Sequence, residues 1–387
     1  LILTGNHAVA YGVRSAKAEV VAAYPITPQT QIIEKLAELI ARGEMKAKYI
    51  RVESEHSAMA ACISAEACGA RAFTATSSHG LMYMSELIFW AGMGRFPVTM
   101  AVVNRCLAPP WSIWNEHTDI LTQRDAGWVI MMCDSAQEAY DIAVQAYRIA
   151  EDERVLQPVM YGLDAFSLSH TAENVDLLDQ EDVDGFLPPI EPSKLAFYLD
   201  PDRPVTFGNL LGPDMMMEFR HRIKEGMTAA LGVIEEVARD YSRISGRPQP
   251  GLLEDYRCSD AEVILLSVGA SCGDAKEAVD QLRDEGVRAG TIKLTTIRPL
   301  PGERLREKLG NTKAVAVVDR DYSYGFGGIL AGDIESALQR GVARYIAGIG
   351  GRDISVADFR GMMMDALRGS EAVGGKPEVW WGLKEVP

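Results

Sequence analysis

No Cys-x-x-Cys pair occurs anywhere in this 387-residue chain. The six cysteines, Cys62, Cys68, Cys106, Cys133, Cys258 and Cys272, are scattered among apolar residues. That spacing excludes a ferredoxin-type cluster site, which needs closely spaced thiolates, and fits reduced, buried thiols in a cytoplasmic protein. Basic residues are in deficit: 39 Lys and Arg face 54 Asp and Glu, for a net charge of −15. No basic face is therefore expected for nucleic acid or an anionic membrane. No apolar run approaches the roughly 18 residues a membrane-spanning helix needs. A His-x-x-x-His spacing is missing, so no metal site is expected. Gly-x-Gly-x-x-Gly and the P-loop lysine are missing too. The clusters Gly269–Gly273 and Gly325–Gly328 accordingly read as turn glycines. There is no basic-then-apolar leader, and because the chain starts at Leu1, a few residues are expected to precede it.

What is present is an ordinary globular composition, with 47% hydrophobic and 24% charged residues. The length suffices for two domains with substantial cores. Short apolar runs at 19–23, 48–52, 72–76, 98–103, 129–132 and 159–163 alternate with helical periodicities at about 29–41, 56–69, 81–92 and 136–151. This alternation predicts a doubly wound α/β domain whose mostly parallel sheet is covered by helices on both faces. The pattern lapses between about 172 and 212, where acidic and proline-rich pieces read as an extended loop. One long helix is expected over 215–241, with Arg247–Gly251 as a hinge. A second α/β unit follows, with strands at 263–267, 289–294 and 314–319 and helices at 274–285 and from 328 to about 338. The boundary predicted is 1–250 and 251–387. Trp380 and Trp381 in the tail are expected to pack on something.

Three strand ends stand out. Tyr24-Pro25-Ile26-Thr27-Pro28 follows the first strand; its prolines cannot sit in a ladder or a helix interior, so they shape a rigid strand-to-helix corner, where α/β folds bind ligands. Ordinary stiffening is the rival explanation. Glu55 follows the second strand, with Ser54 as a candidate N-cap, and helix-start acidity is routine. Arg105 follows the fourth strand, and a guanidinium there suits either a carboxylate ligand or an ion pair. Thr74–Gly80 supplies hydroxyls for capping or for cofactor contact. His56, His79 and His117 lie near these positions with no sign that they converge.

The series Tyr24–Pro28, Glu53-Ser54-Glu55-His56, Thr74-Ala75-Thr76-Ser77-Ser78 and Asn104-Arg105 resembles the α subunit of 2-oxoacid:ferredoxin oxidoreductases, of which the pyruvate enzymes are best known. The order continues through Gln137–Tyr140, Ser167–Thr171 and Ile297–Pro301. The resemblance implies a thiamine-diphosphate-binding (pyrimidine-type) domain followed by a smaller transketolase-C-like domain. It implies that Glu55 contacts N1′ of the aminopyrimidine and activates the cofactor, for which a dry carboxyl with a raised pKa is needed. It places Tyr24, Pro25 and Ile26 at the cofactor, and Thr27 and Arg105 at the substrate carboxylate or carbonyl.

The chain lacks the Gly-Asp-Gly…Asn run that holds magnesium and diphosphate in thiamine enzymes. By the resemblance, Mg2+, diphosphate contacts and [4Fe-4S] clusters belong to β-, γ- and δ-type partner subunits. The implied reaction is CoA-dependent oxidative decarboxylation of a 2-oxoacid, pyruvate by default, with electrons passing to ferredoxin or another acceptor. Pyruvate-oxidising relatives tend to carry smaller residues and a Gly-Asp-His where this chain has Trp111, Trp114 and Asn115-Glu116-His117. Trp111, Trp114 and His117 are thus candidate pocket residues for a larger, even aromatic, 2-oxoacid, or interface residues. A non-catalytic assembly subunit and a nicotinamide-binding dehydrogenase are the remaining rivals; the missing glycine fingerprint disfavours the latter.

Overall fold

The computed structural model of the chain describes residues 1–369 and 378–384. Strands β1 (Ile2–Thr4), β2 (Val20–Ala23), β3 (Lys48–Arg51), β4 (Ala72–Thr76) and β5 (Thr99–Asn104) come first. They are followed by β6 (Val129–Met132), β7 (Val159–Asp164), β8 (Ala172–Asn174), β9 (Leu253–Tyr256) and β10 (Val263–Ser267). The last are β11 (Ala289–Leu294), β12 (Thr296–Arg298), β13 (Ala314–Asp319), β14 (Ala343–Ile346) and β15 (Val379–Trp380).

A seven-stranded sheet has the order β12-β6-β7-β5-β4-β2-β3. Its neighbours are parallel except for β12, which runs antiparallel to β6. Strands β4 to β7 are buried along their whole length, which is why they read as unbroken apolar runs. From β2 the chain moves outward to β3; from β4 it moves the other way to β5. The gap between β2 and β4 is thus a topological switch point, where loops diverge and leave a crevice at the carboxyl ends.

A six-stranded sheet, β15-β14-β13-β10-β11-β9, forms the second unit, with β9 antiparallel to β11. The two sheets are stitched together, since β12 leaves the end of β11 and joins the first sheet, and Met132 N–H donates to the Thr295 carbonyl at 2.8 Å. One buried apolar cluster is shared by both units, running from Val102 and Met132 to Leu266, Ile292 and Val317. The opposite faces carry separate clusters, one around Tyr140, Tyr147 and Tyr161 and one around Phe359 and Met362.

Local signals explain most helix ends. Ser54 caps helix Glu55–Ala67 by accepting from Ser57 N–H at 3.2 Å, and Ser135 caps Ala136–Ala150 by accepting from Glu138 N–H at 3.2 Å. The long helix runs Pro213–Ser245, starts with proline in its first turn and stops at Gly246 in the left-handed region. The single helix expected over 81–92 is two, Ser78–Tyr83 and Ser85–Gly94. The first packs on Thr118–Leu121 and the second on Glu55–Ala67, two directions that one straight helix cannot serve. Helix Gly5–Ser15, not expected from the sequence, lies on Ala136–Ala150 with Gly12 in close approach to Ala143. Residues 175–212 hold a helix at Gln180–Phe186 and a short turn at Pro192–Lys194, and drape over the end of helix Glu55–Ala67 through Leu199 N–H to Ala67 O at 2.7 Å. Trp380 packs on Tyr322 at 4.9 Å between ring centroids, and the Trp381 indole donates to Asp358 at 3.0 Å.

Candidate active site at the carboxyl edge of the first sheet

The corner after β2 is fixed from beneath. Gln29, fully buried, donates from Nε2 to Tyr24 O at 2.8 Å and to Ala75 O at 3.0 Å, tying the loop to β4. Asn6 donates to Pro28 O at 2.9 Å, and the Thr27–Pro28 peptide is cis. Tyr24, Pro25 and Thr27 are exposed and Ile26 is half-buried, so the loop presents its side chains outward while its carbonyls are held.

Glu55 opens the helix after β3 and is 6% exposed. Among the described residues its carboxyl has no side-chain hydrogen bond, and burial raises its pKa above the ordinary range. It packs against Gly80: a Cβ there would lie 2.4 Å from Glu55 Oε1 and 2.5 Å from Thr76 Oγ1. The hydroxyls of Thr74 and Thr76 and Oε1 of Gln29 are buried without partners. A carboxyl at the start of a helix, packed against a glycine beside the Thr76 hydroxyl and without a side-chain hydrogen bond among the described residues, is chemically suited to a polar ring as ligand.

Arg105, after β5, is 5% exposed. Its guanidinium donates to the Thr27 carbonyl and lies 3.2 Å from His79 Nδ1, so the loops after β2, β4 and β5 meet there. Trp111 stacks on it, with the guanidinium carbon 5.1 Å from the ring centroid, and meets His79 edge-to-face at 5.8 Å between centroids. Beneath them Asp119 is buried and accepts from Arg105 N, Ser78 N, Asn104 Nδ2 and Ile120 N at 2.8–2.9 Å. Burial pushes this carboxyl up to about 6 while the four donors pull it down. Asp119 holds Ser78 at φ 46°, a left-handed conformation costly for a non-glycine residue. His79, Gly80, Gln29 and Asp119 carried no assigned role in the sequence. A buried aspartate or glutamine has no periodic signature, and the only hint was their place beside strand ends.

The remaining candidates separate. Trp114 packs on Phe166 at 4.6 Å, against Gly351 of the second unit, and so stands at the seam between units. His117 is fully buried in that seam and does not reach the Arg105 cluster. Its Nε2 lies 2.8 Å from Asp164 Oδ1, and Asp164 also accepts from Ala270 N at 3.0 Å and Arg320 Nη1 at 3.2 Å. The turn at Gly269–Cys272 thus spends its N–H group on a carboxylate of the first unit. At the turn after Gly325, Asp319 takes the N–H groups of Leu330 and Ala331, and Asp321 takes that of Ile329.

A cavity of about 470 Å3 lies elsewhere, between helix Ser85–Gly94 and the start of the long helix, lined by Phe89, Trp90, Phe207 and Phe219, and it shares no lining residue with the cluster above. Among the described residues no group of His, Cys, Asp and Glu could hold a metal, and no helix is long and apolar enough to cross a membrane.

Comparisons with known proteins fall on the same two units. Residues 11–239 match the family model for pyruvate flavodoxin/ferredoxin oxidoreductase, thiamine diphosphate-binding, and residues 261–359 match pyruvate:ferredoxin oxidoreductase core domain II. Pyruvate synthase subunit PorA of Methanothermobacter thermautotrophicus is 43% identical, covering 99% of this chain and 98% of that one. Ketoisovalerate oxidoreductase subunit VorA of Pyrococcus abyssi is 44% identical with the same coverage, 99% and 98%. Among solved structures, the 2-oxoglutarate:ferredoxin oxidoreductase of Magnetococcus marinus superimposes with a TM-score of 0.74 at 18% identity, over 95% of this chain and 65% of that one. A split-gene transketolase, in its inactive tetramer, gives 0.55 at 12% identity over 95% and 98%. These two likenesses concern the fold. The chain belongs to the pyruvate and 2-oxoacid:ferredoxin oxidoreductase family, and within it is an α-type oxidoreductase subunit of the PorA and VorA kind.

Proposed function

We propose that this chain forms the pyrimidine- and substrate-facing half of a thiamine diphosphate site and that its complex oxidatively decarboxylates a 2-oxoacid to an acyl-CoA. The observation that carries this is Glu55, a buried carboxyl with a raised pKa and no side-chain hydrogen bond among the described residues, set against Gly80. When bound, thiamine diphosphate supplies the carbon nucleophile and the electron sink that decarboxylation needs. Glu55, which burial makes easier to protonate than a free carboxylate, would hold or release a proton at its carboxyl oxygen toward a pyrimidine nitrogen. Tyr24, Pro25 and Ile26 wall the ring, and the carbonyls behind them are pinned by Gln29 and Asn6, so the wall does not yield. Arg105 binds the substrate carboxylate through the face of its guanidinium fork left open by Thr27 O, while the exposed Thr27 hydroxyl donates to the carboxylate or carbonyl.

The division of labour follows from what the chain does not supply. Magnesium, diphosphate ligands and [4Fe-4S] clusters fall to β-, γ- and δ-type subunits, and electrons leave through them to ferredoxin or another acceptor. Pyruvate is the default substrate, and the relatives are named for pyruvate and ketoisovalerate. The stacking of Trp111 on Arg105 favours a second reading, in which the indole offers a flat wall to a larger or aromatic 2-oxoacid. Assay of the co-purified complex with thiamine diphosphate, CoA and a dye acceptor tests the proposal. Glu55→Gln is expected to slow turnover roughly a thousandfold or more; full activity would make the chain an assembly scaffold.

A further inference from the structure

His79 is a hydrogen-bonding puzzle whose solution is a ligand. Its Nε2 lies 2.8 Å from Ala108 N, a backbone amide that can only donate, so Nε2 must keep its lone pair. A neutral imidazole then carries its proton on Nδ1. Yet Nδ1 lies 3.2 Å from Arg105 Nη2, a second obligate donor. The one acceptor recorded for Nδ1 among the described residues is Ser78 Oγ at 3.5 Å, whose proton goes to Cys106 O and whose lone pairs are free, so that contact is weak through its length alone. Moving the proton to Nε2 only transfers the conflict to Ala108. Protonating both nitrogens creates two conflicts, and burial followed by the charge of Arg105 lowers the pKa against that form.

Two N–H groups, one on a guanidinium and one on an imidazole, therefore face each other across 3.2 Å, with Ser78 Oγ, 3.5 Å from Nδ1, as a weak acceptor beside them. Arg105 Nε is also buried without a partner. Trp111 closes one side, against both groups. The exposed loop at Thr27 adjoins the pair, its carbonyl held by the same guanidinium. On its other side His79 adjoins Gly80, against which the Glu55 carboxyl packs.

We propose that His79 is a substrate-binding residue, whose Nδ1–H and Arg105 Nη2–H together grip the carboxylate of the 2-oxoacid. One carboxylate oxygen takes each donor, Arg105 turns off the imidazole, and the conflict disappears. The Ala108 amide fixes the tautomer that makes this possible, so the loop carrying Trp111 also sets the polarity of the grip. This rests on the proposed function and extends it from a single arginine to a two-donor clamp.

The test uses the complex with its partner subunits, carrying His79→Phe or His79→Asn, with Glu55→Gln as the control. Phenylalanine keeps the ring volume and removes both nitrogens. Asparagine places an N–H close to the Nδ1 position but cannot reach Ala108. The KM for the 2-oxoacid is expected to rise about tenfold to a hundredfold in His79→Phe. In that variant the thiamine diphosphate concentration for half-activity should be unchanged, and His79→Asn should stay close to wild type. An unchanged KM in His79→Phe overturns the clamp. An equal rise in both variants overturns it too, because the role would then be to latch Ala108. Full activity of Glu55→Gln would remove the proposed function itself, an outcome read independently of the His79 variants.

Discussion

The two sheets end in the same kind of structure, with turn N–H groups spent on buried aspartates at both edges, and differ in one carboxyl. At the carboxyl edge of the first, the turns after β2, β3, β4 and β5 bring Glu55, His79 and Arg105 together with their polar atoms incompletely matched. At the carboxyl edge of the second, the turns after β10 and β13 are closed by the chain's own carboxylates. Asp164 receives Ala270, His117 and Arg320, and Asp319 with Asp321 receives the N–H groups of the helix that follows. A strand-to-helix turn is thus not a site by geometry alone. Both edges keep buried polar atoms without partners, Thr74 Oγ1, Thr76 Oγ1 and Arg105 Nε at the first and His117 Nδ1, Arg320 Nε and Asp321 Oδ2 at the second. The contrast therefore lies in two carboxyls: Glu55 has no side-chain hydrogen bond among the described residues, whereas Asp164 has three partners.

Substitutions break this comparison in graded ways. The largest effect is the thousandfold loss of turnover in Glu55→Gln, read as dye reduction. Next is Asp164→Ala, which leaves His117 and Arg320 buried without their carboxylate. A loss of about 3–5 kcal/mol of stability is expected, measured by denaturant unfolding, because a fully buried ion pair loses one partner. Burial alone would raise the Asp164 carboxyl, but His117, Arg320 and the Ala270 amide outweigh it and hold it below the usual range. A depressed folded-state pKa contributes stability above the unfolded value, near 4, that is lost as pH falls through the folded one. The Asp164 contribution to the seam should accordingly be present at neutral pH and lost only in strong acid, followed by the change in Trp114 fluorescence as the indole, 50% exposed, leaves Phe166.

Smaller effects sharpen the first edge. Arg105→Lys keeps the charge but loses the planar fork, and a rise of about ten- to a hundredfold in KM for the 2-oxoacid is expected from the loss of a charged hydrogen bond. Trp111→Ala removes the stacked indole, which is half-exposed; contacts of that class give about two- to fivefold in KM. Its more useful readout is the order of preference among pyruvate, branched and aryl 2-oxoacids, which should shift toward smaller acids if the indole is a wall for larger ones.

The architecture was largely legible, and the reason is visible strand by strand. Strands β4, β6, β10, β11 and β13 were bounded correctly because buried parallel strands are short, continuous apolar runs. Strands β12, β14 and β15 were invisible: two to four residues long, they exist through their partners rather than through a pattern. Helix Gly5–Ser15 was missed because its small residues and Gly12 serve close helix packing instead of an apolar stripe. Glu55 and Arg105 were placed at strand ends by order along the chain. The clustering of His79 with Arg105, and the diversion of His117 into the seam, depend on distances that no single-residue signal encodes.

The most direct measurement is the thermal midpoint of the complex carrying Glu55→Gln beside that carrying Asp164→Asn. The raised pKa of Glu55 means that its ionised form opposes folding above the ordinary carboxyl range, so neutralising it should leave the midpoint unchanged or higher while activity collapses. Asp164→Asn should lower the midpoint. If Glu55→Gln falls as far as Asp164→Asn, then Glu55 is held by the fold like any other structural carboxylate, and the contrast between these two carboxyls does not stand.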